Sequence, residues 1–261
     1  MTQNINQSRE IFTCKNHLFS VKMSQEKDDH QPPFTILVEG NIAAGKTQLL
    51  NYFQQYSNAL VLQEPVSLWQ NFYEHNLLDL SYKNPQKYGL IFQLYVTYTM
   101  KLQHEIQSSK AYKFMERSLY ATHFCFTQYL VDTGKLDTLE FQIMDLWFKE
   151  HLRSTKIQAD LIIYLRTEPN TALERIQSRA RDEEHNVSLT YVEGMHEKYD
   201  NWLLLSQSLT PCPVLTVNAN QHNDLITVEY QKIETMLNNC RKEGLGTKLP
   251  LSQKEKIDLK M

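Results

Sequence analysis

Eight residues near the start of the chain have the spacing of a loop that binds the phosphates of a nucleoside triphosphate. The run Gly40-Asn41-Ile42-Ala43-Ala44-Gly45-Lys46-Thr47 matches G-x-x-x-x-G-K-[ST], and it lies between an apolar segment at 35–39 and a helical pattern at 46–56. In such a loop, backbone N–H groups surround the phosphates, the lysine contacts the β- and γ-phosphates, and the threonine hydroxyl binds Mg²⁺. We therefore expect this run to bind a nucleoside triphosphate and Mg²⁺.

The loop alone does not distinguish a kinase from a switch or a motor. A GTPase should carry a later N-K-x-D motif, and a large ATPase motor should carry an apolar run that ends in Asp-Glu; the sequence contains neither. Instead, the apolar segments 59–63 and 112–115 are followed by Glu64 and by Glu116 and Arg117. Because ligands bind beyond the carboxyl ends of parallel strands, these three side chains should face the loop.

Their chemistry suits phosphoryl transfer to an alcohol. Glu64 is a candidate base for the hydroxyl proton, Arg117 can neutralise the transferring group, and Glu116 can help to hold Mg²⁺, directly or through water. A nucleoside monophosphate kinase such as thymidylate kinase would instead need a cation where this chain has Glu64. That kinase remains the enzymatic alternative, and a nucleotide-gated binding or switch protein that uses only the loop remains the non-enzymatic one.

Short apolar segments alternate with helical patterns along the chain. The candidate strands are 35–39, 59–63, 112–115, 160–165 and 214–218, and the helical patterns are 46–56, 84–108, 118–132, 136–151, 169–180 and 188–207. This alternation predicts an α/β fold in which a doubly wound, five-stranded parallel sheet carries helices on both faces. We divide the chain into a flexible N-terminal leader (1–33), a single kinase domain (34–240) and a flexible C-terminal tail (241–261).

The composition of the chain limits which binding partners and which cellular compartment we expect. The net charge is −3, the longest apolar runs are too short to span a membrane, and the four cysteines are scattered. We therefore expect neither nucleic acid nor a membrane as a partner, and we expect an intracellular protein of the cytoplasm or nucleus. The first part of the leader is weakly basic and rich in Ser, Thr and Asn, which keeps a mitochondrial location as the alternative.

Two further groups of side chains allow opposite interpretations. Gln93, Val96 and Met100 share one face of a predicted helix, where the amide could pair with a nucleobase that Trp69 and Phe126 flank. Spacing alone favours packing of these residues in the core.

Three arginines end another predicted helix, at Arg175, Arg179 and Arg181. They could close over phosphates as a mobile lid, although the residues alone favour a solvated basic helix end.

Six stretches in order resemble the deoxyribonucleoside kinase family, most closely its branch of mitochondrial thymidine kinases and insect multisubstrate kinases. They are EGNIAAGKT, EPVSLW, NLLDLSYKNPQKYGLIFQLYVTYTM, MERSLYATHFCF, ADLIIYLRTEP and RARDEEHNVSLTYVEGMHEKYDNWL, within residues 34–220. The resemblance implies a P-loop kinase with an arginine-rich lid. It also implies a homodimer that uses ATP and Mg²⁺ to phosphorylate the 5′-OH of deoxyribonucleosides for nucleotide salvage, with pyrimidines such as thymidine and deoxycytidine preferred.

The same resemblance assigns roles by motif. Lys46, Glu64 and Arg117 become catalytic, with Glu64 as the base for the sugar 5′-OH, and Tyr82 and Glu184 bind the sugar 3′-OH. The residues implied around the nucleoside are Ile42, Glu64, Trp69, Tyr82, Gln93, Val96, Met100, Arg117, Thr122, Phe126 and Glu184. The donor is assigned to the phosphate loop and to Arg175, Arg179 and Arg181, and the metal ion to Thr47 and Glu116.

Two positions depart from the family pattern. Thr122 stands where the pyrimidine branch usually has alanine, so it adds bulk and a hydroxyl group to the base pocket. The run Asn186-Val187-Ser188-Leu189 lacks the proline of the usual Val-Pro-Leu, which should loosen the lid.

Overall fold

Apolar side chains on both faces of the inner strands require layers of helix on both sides of the sheet. The structure is a computed structural model that describes residues 32–155, 157–221 and 223–242. Within those residues it contains the strands β1 (Phe34–Glu39), β2 (Ala59–Leu62), β3 (Tyr112–Glu116), β4 (Leu161–Arg166) and β5 (Val214–Asn218). They form one parallel sheet in the order β2-β3-β1-β4-β5, which confirms the predicted five-stranded sheet.

Within the described residues, helices lie between successive strands and after β5. They are α1 (Lys46–Gln54), α2 (Val66–Gln70), α3 (Leu77–Lys83), α4 (Pro85–Glu105), α5 (Leu119–Ala121), α6 (Gln128–Asp132), α7 (Thr138–Ser154), α8 (Pro169–Arg179), α9 (Leu189–Asp200) and α10 (Asn223–Lys242). Of the helices in the described ranges, none is both long and apolar enough to cross a membrane.

The core lies in two layers because strand side chains alternate between faces. Leu37 of β1 and Ile162 of β4 pack into the layer on one face, together with α4 and α9. Ile36 and Val38 of β1 and Ile163 of β4 pack into the other layer, together with α1 and α10.

Two helices predicted as continuous are not regular. The predicted helix 118–132 contains a π-helical segment, Thr122–Thr127, between α5 and α6, and α9 runs into another π-helical segment at Asn201–Leu205. In the first, the Thr127 hydroxyl donates to the Thr122 carbonyl over 2.8 Å. Side-chain periodicity does not distinguish an i+4 from an i+5 backbone bond, so the sequence could not predict either segment.

The sequence patterns also did not mark α2, α3 and α10. The first two span 5 and 7 residues, which is too short for a helical period to stand out. The last ends at Lys242, so it continues past residue 240, where the predicted domain ends. The predicted leader lies almost wholly outside the described residues, as does the predicted tail from residue 243.

We predict that burial of His104 on α4 makes stability depend on pH. Burial, with a smaller contribution from Lys113, lowers the pKa of His104 to about 3, and its Nε2 atom accepts the Leu119 N–H over 3.4 Å. A histidine with a lowered folded-state pKa is protonated first in the unfolded chain, so stability is lost as pH falls below about 6.5.

The matched variant is His104→Gln, which keeps an acceptor but does not titrate. Between pH 7.5 and pH 5 the wild type should lose about 2 kcal/mol of unfolding free energy more than the variant, measured by denaturant titration. Parallel pH profiles for the two proteins would contradict this prediction.

Candidate active site

One cavity of about 800 Å³ collects most of the side chains that the sequence marked. It lies where β1, β2 and β3 end, beside α4 and the segment that follows α8. The predicted residues that line it are Ile42, Ala43, Ala44, Gly45, Lys46, Thr47, Glu64, Trp69, Tyr82, Gln93, Val96, Met100, Glu116, Arg117, Thr122, Phe126, Arg175, Arg179, Arg181 and Glu184. We call this space the central cavity.

Gly40 and Asn41 are the two predicted residues outside this lining, and they shape the loop from behind. Gly40 has φ +147°, and a Cβ atom there would lie 2.6 Å from the carbonyl oxygen of Leu165. The buried Asn41 side chain donates to the Val192 carbonyl over 2.9 Å and accepts the Ile42 N–H over 2.8 Å. The loop backbone therefore passes close to β4, and the Asn41 side chain fastens it to α9.

The loop presents its cation and its hydroxyl group to the central cavity. The buried Lys46 ammonium donates to the Asn41 carbonyl over 2.8 Å. Burial and, to a smaller extent, the charge of Arg117 lower the pKa of Lys46 to about 8, although Glu116 and other carboxylates oppose the shift. The Thr47 hydroxyl donates to Oε1 of Glu116 over 3.0 Å, so a hydroxyl and a carboxylate stand together as the hard oxygen ligands that Mg²⁺ uses.

Glu64 and Arg117 form an ion pair where β2 and β3 end. Nε of Arg117 lies 2.7 Å from Oε1 of Glu64, a close contact of opposite charges rather than an aligned hydrogen bond. Burial raises the pKa of Glu64, and the Arg117 guanidinium acts against that rise. The sequence therefore placed this carboxylate and this cation correctly at one edge of the sheet.

Arg117 also makes buried contacts that the sequence did not reveal. Its φ is +61°, and its NH1 group donates to the Gly40 carbonyl over 3.0 Å and to the Tyr199 hydroxyl. Behind it, the Ser118 hydroxyl donates to Glu39 over 2.6 Å, and burial raises the pKa of Glu39 to about 7. In the sequence, these buried contacts were indicated only by a glutamate, Glu39, at the end of the apolar strand β1.

The face predicted on α4 does line the central cavity. Gln93, Val96 and Met100 are buried there, and Oε1 of Gln93 has no hydrogen-bond partner within the described part of the chain. The indole N–H of Trp69 donates to Thr99 of α4 over 3.0 Å. An unpaired buried carbonyl is costly, so Gln93 has an acceptor available for a ligand.

Thr122 and Phe126 face the cavity from the π-helical segment. The Thr122 hydroxyl donates to the Ser118 carbonyl over 3.3 Å, so it is held by the backbone of its own helix. The Phe126 ring lies 4.7 Å from the Arg117 guanidinium carbon, which places an aromatic wall beside the charged pair.

The predicted lid is held together by its own charges. Arg179 donates to both oxygens of the buried Glu184 over 2.7 and 2.6 Å, and Arg181 donates to it over 3.1 Å. Arg175 instead donates to the carbonyl of Gln221 over 3.4 Å. Arg179 and Arg181, which are expected to bind a phosphate, are therefore hydrogen-bonded to Glu184, the carboxylate expected to bind the sugar.

The neighbouring Glu183 joins this lid to the helices after β2. It accepts hydrogen bonds of 2.8 Å from Gln70 and 2.8 Å from Asn76. These contacts lower the pKa of Glu183 although burial alone would raise it.

Sequence reasoning missed several residues that line the central cavity. They include Gln63, Val66, Leu78, Ser81, Pro85, Gly89, Phe92, Tyr129, Leu130, Lys135, Tyr191, Ala219, Gln221, Ile226 and Tyr230. Tyr129 follows Phe126 by three positions and Thr122 by seven, so helical spacing could have indicated it.

The phosphate loop follows the first strand of a parallel sheet, and it faces a carboxylate at the end of β2 and a cation at the end of β3. This combination defines the P-loop phosphotransferases. Within that class, the chain belongs to the deoxynucleoside kinase family, whose sequence profile matches residues 36–243. It is an enzyme that phosphorylates deoxynucleosides, and the thymidylate kinase alternative is not favoured.

Curated relatives share most of the chain. "Thymidine kinase 2, mitochondrial" of Homo sapiens is 38% identical over 200 residues, which cover 76% of this chain and 74% of the relative. The Macaca fascicularis protein of that name is 37% identical and covers 76% of each chain. "Deoxycytidine kinase 2" of Gallus gallus is 31% identical over 75% of this chain and 86% of its own.

Proposed function

We propose that the chain transfers the γ-phosphoryl group of ATP to the 5′-OH of deoxynucleosides and prefers the pyrimidines thymidine and deoxycytidine. The observation that carries this proposal is the Glu64–Arg117 ion pair in the same cavity as the phosphate loop. A carboxylate at that strand end accepts a proton from a neutral hydroxyl group, whereas it would repel an acceptor phosphate.

Glu64 removes the proton from the sugar hydroxyl as the phosphoryl group transfers. Its burial raises its pKa, and a base with a pKa nearer the working pH transfers protons more effectively. Arg117 orients Glu64, and Arg117 and Lys46 together neutralise the charge that develops on the transferring group. The lid arginines Arg179 and Arg181 complete this positive surround and exclude water when they reach the phosphates.

Thr47 and Glu116 are the residues that would hold Mg²⁺ beside the donor phosphates. Their oxygens are 3.0 Å apart, and Mg²⁺ commonly uses one or two protein oxygens together with phosphates and water. When bound, the ion would neutralise charge on the donor phosphates.

The acceptor side fits a base and a sugar. The unpaired Oε1 atom of Gln93 can accept a base N–H while its amide N–H₂ group donates to a base carbonyl. Val96 and Met100 offer an apolar surface, and Phe126 offers a ring face for stacking.

Tyr82 and Glu184 line the same cavity and are the proposed partners of the sugar 3′-OH. The names of the thymidine and deoxycytidine kinase relatives support pyrimidines as the substrates.

An apolar surface on α4 and α7 supports a homodimer. Both helices expose large apolar side chains at helical spacing, and the two helices contact each other. The exposed residues are Ile91, Leu94, Tyr98, Leu102, Leu139, Ile143, Leu146 and Trp147. Exposed apolar side chains on two adjacent helices are typical of a site of protein association, and we propose that a second copy of the chain covers them.

The proposal also includes the location of the protein in the cell. We expected the cytoplasm, but the relatives whose names include "mitochondrial" support the mitochondrial alternative. The location of a fluorescent fusion of the full chain, compared with one that lacks residues 1–33, distinguishes the two.

The assignment of Glu64 as the base predicts the effect of Glu64→Gln. The amide keeps the shape of the side chain but cannot take a proton, so kcat should fall by about two orders of magnitude or more. The dissociation constant for thymidine should change little. Steady-state kinetics and titration calorimetry measure the two quantities.

Glu197→Gln, an exposed change on α9, is the control and should leave both quantities as they are. An unchanged kcat in Glu64→Gln would remove Glu64 as the base.

Thr122 should restrict which bases the cavity accepts. Its hydroxyl is already bonded to the Ser118 carbonyl, so the main effect of the side chain is its bulk. We expect Thr122→Ala to raise kcat/KM for the purine deoxynucleosides severalfold relative to thymidine. A panel of the four natural deoxynucleosides measures this change, and an unaltered ranking would contradict it.

The dimer proposal predicts that Leu146→Glu on α7 yields a monomer. A buried, unpaired carboxylate is costly at an apolar interface, so sedimentation should change from the dimer mass to the monomer mass. Leu225→Glu replaces a leucine that is also exposed, but lies on α10, and should leave the dimer intact. A wild-type chain that sediments as a monomer would contradict the proposal.

A further inference from the structure

Three tyrosines from three helices form a continuous aromatic contact at the acceptor end of the central cavity. The rings of Tyr82 on α3 and Tyr191 on α9 meet edge to face, with centroids 6.1 Å apart at 80°. Tyr191 meets Tyr129 on α6 in the same way, with centroids 4.9 Å apart at 86°. All three line the cavity, and edge-to-face pairs favour a defined relative orientation. We call them the tyrosine column.

The far end of the tyrosine column rests on a glycine in the middle of a helix. Gly194 lies within α9, and its φ is not among the positive values, so backbone conformation does not require glycine there. Alanine would favour the helix by about 1 kcal/mol. A Cβ atom at this position, however, would lie 3.0 Å from Cδ2 of Tyr129 and nearer still to Cε2.

The Tyr129 ring therefore packs directly on the α9 backbone, and only glycine leaves room for it. Gly89 of α4 makes the contrast clear, because it too is a glycine within a helix. A Cβ atom there would lie 3.4 Å from a terminal methyl group of Leu130, which can rotate away. The Tyr129 ring is rigid and lies against both the α9 backbone and the Tyr191 ring, so it has no comparable freedom.

Tyr191 connects the packed Tyr129 ring to Tyr82. The geometric link is the edge-to-face contact of the Tyr191 and Tyr82 rings. Burial raises the pKa of Tyr191 well above its usual value, and the nearby Tyr82 adds to that rise. Tyr82 in turn interacts with Glu184, which raises the pKa of Tyr82 in addition to the larger effect of burial. The column thus ends at the two side chains proposed to bind the sugar 3′-OH.

We propose that Tyr129, seated on Gly194, is a positioning residue that holds Tyr191 and through it places the Tyr82 hydroxyl at the 3′-OH of the deoxyribose. This inference rests on the proposed function and assigns to it a device for recognising the 3′-OH. Because the column acts through that single hydroxyl group, a nucleoside that lacks it gains nothing from the column. Damage to the column should therefore weaken discrimination between the two kinds of sugar.

The experiment compares kcat/KM for thymidine with kcat/KM for 3′-deoxythymidine. The proteins are the wild type, Tyr129→Ala, Gly194→Ala, the double variant and Tyr129→Phe. Tyr129→Ala and Gly194→Ala should each lower the ratio by about tenfold, because a hydrogen bond to the 3′-OH is weakened. The double variant should match Tyr129→Ala, since the added methyl group acts only through the ring. Tyr129→Phe keeps the ring and should keep the ratio.

Thermal unfolding supplies a readout that does not need a substrate. Gly194→Ala should lower Tm when Tyr129 is present and raise it in the Tyr129→Ala background, where only the helix preference of alanine remains. Gly89→Ala should shift Tm in the same direction in both backgrounds. Tyr129→Leu replaces Tyr129→Ala if the latter does not fold.

Three results would overturn the inference. They are an unchanged ratio in both single variants, additive losses in the double variant, and a Gly194→Ala effect on Tm with the same sign in both backgrounds. A wild type that phosphorylates thymidine while the variants leave the ratio unchanged overturns this inference alone. A wild type that phosphorylates none of the natural deoxynucleosides overturns the proposed function as well.

Discussion

A buried guanidinium group joins the separate parts of the candidate active site. Arg117 contacts Glu64 on one side and donates to the Gly40 carbonyl of the phosphate loop and to the Tyr199 hydroxyl on another, while Phe126 packs against its face. Burial disfavours its charge, but Glu64 and the other acidic neighbours raise its pKa above the ordinary value. An unpaired buried charge is costly, so a displacement of these partners would destabilise the folded protein. Arg117 therefore helps to fix their positions.

The same principle governs the lid. Arg179 and Arg181 satisfy the buried Glu184, while Glu183 is satisfied by Gln70 of α2 and by Asn76, which caps the start of α3. A phosphate and a sugar hydroxyl can replace these contacts only if they offer equivalent charges and hydrogen bonds. In the lid mechanism that we propose, ligands would replace these contacts without leaving a buried charge unpaired, so closure would be favoured only over ligands that offer equivalent groups.

The strands and the charged strand ends could be read from the sequence for a simple reason. A strand buried on both faces needs a continuous apolar run, and the first charged residue after it marks the edge where ligands bind. Glu64, Glu116 and the adjoining Arg117 were found in this way. Three kinds of feature left no such signal: the short helices α2 and α3, the π-helical segment Thr122–Thr127, and side chains such as Tyr199 that reach the site from distant helices.

The sequence by itself determined the parallel sheet, the phosphate loop and the residue types available for chemistry, because these follow from local periodicity and motif spacing. Only the tertiary structure decided which of those residues meet. It paired Glu184 with the lid arginines and left Oε1 of Gln93 unpaired among the described residues. It also seated Tyr129 on Gly194, 65 positions along the chain. Contacts between distant segments depend on how whole helices pack on the sheet, and rigid rings and buried charges accept few such arrangements.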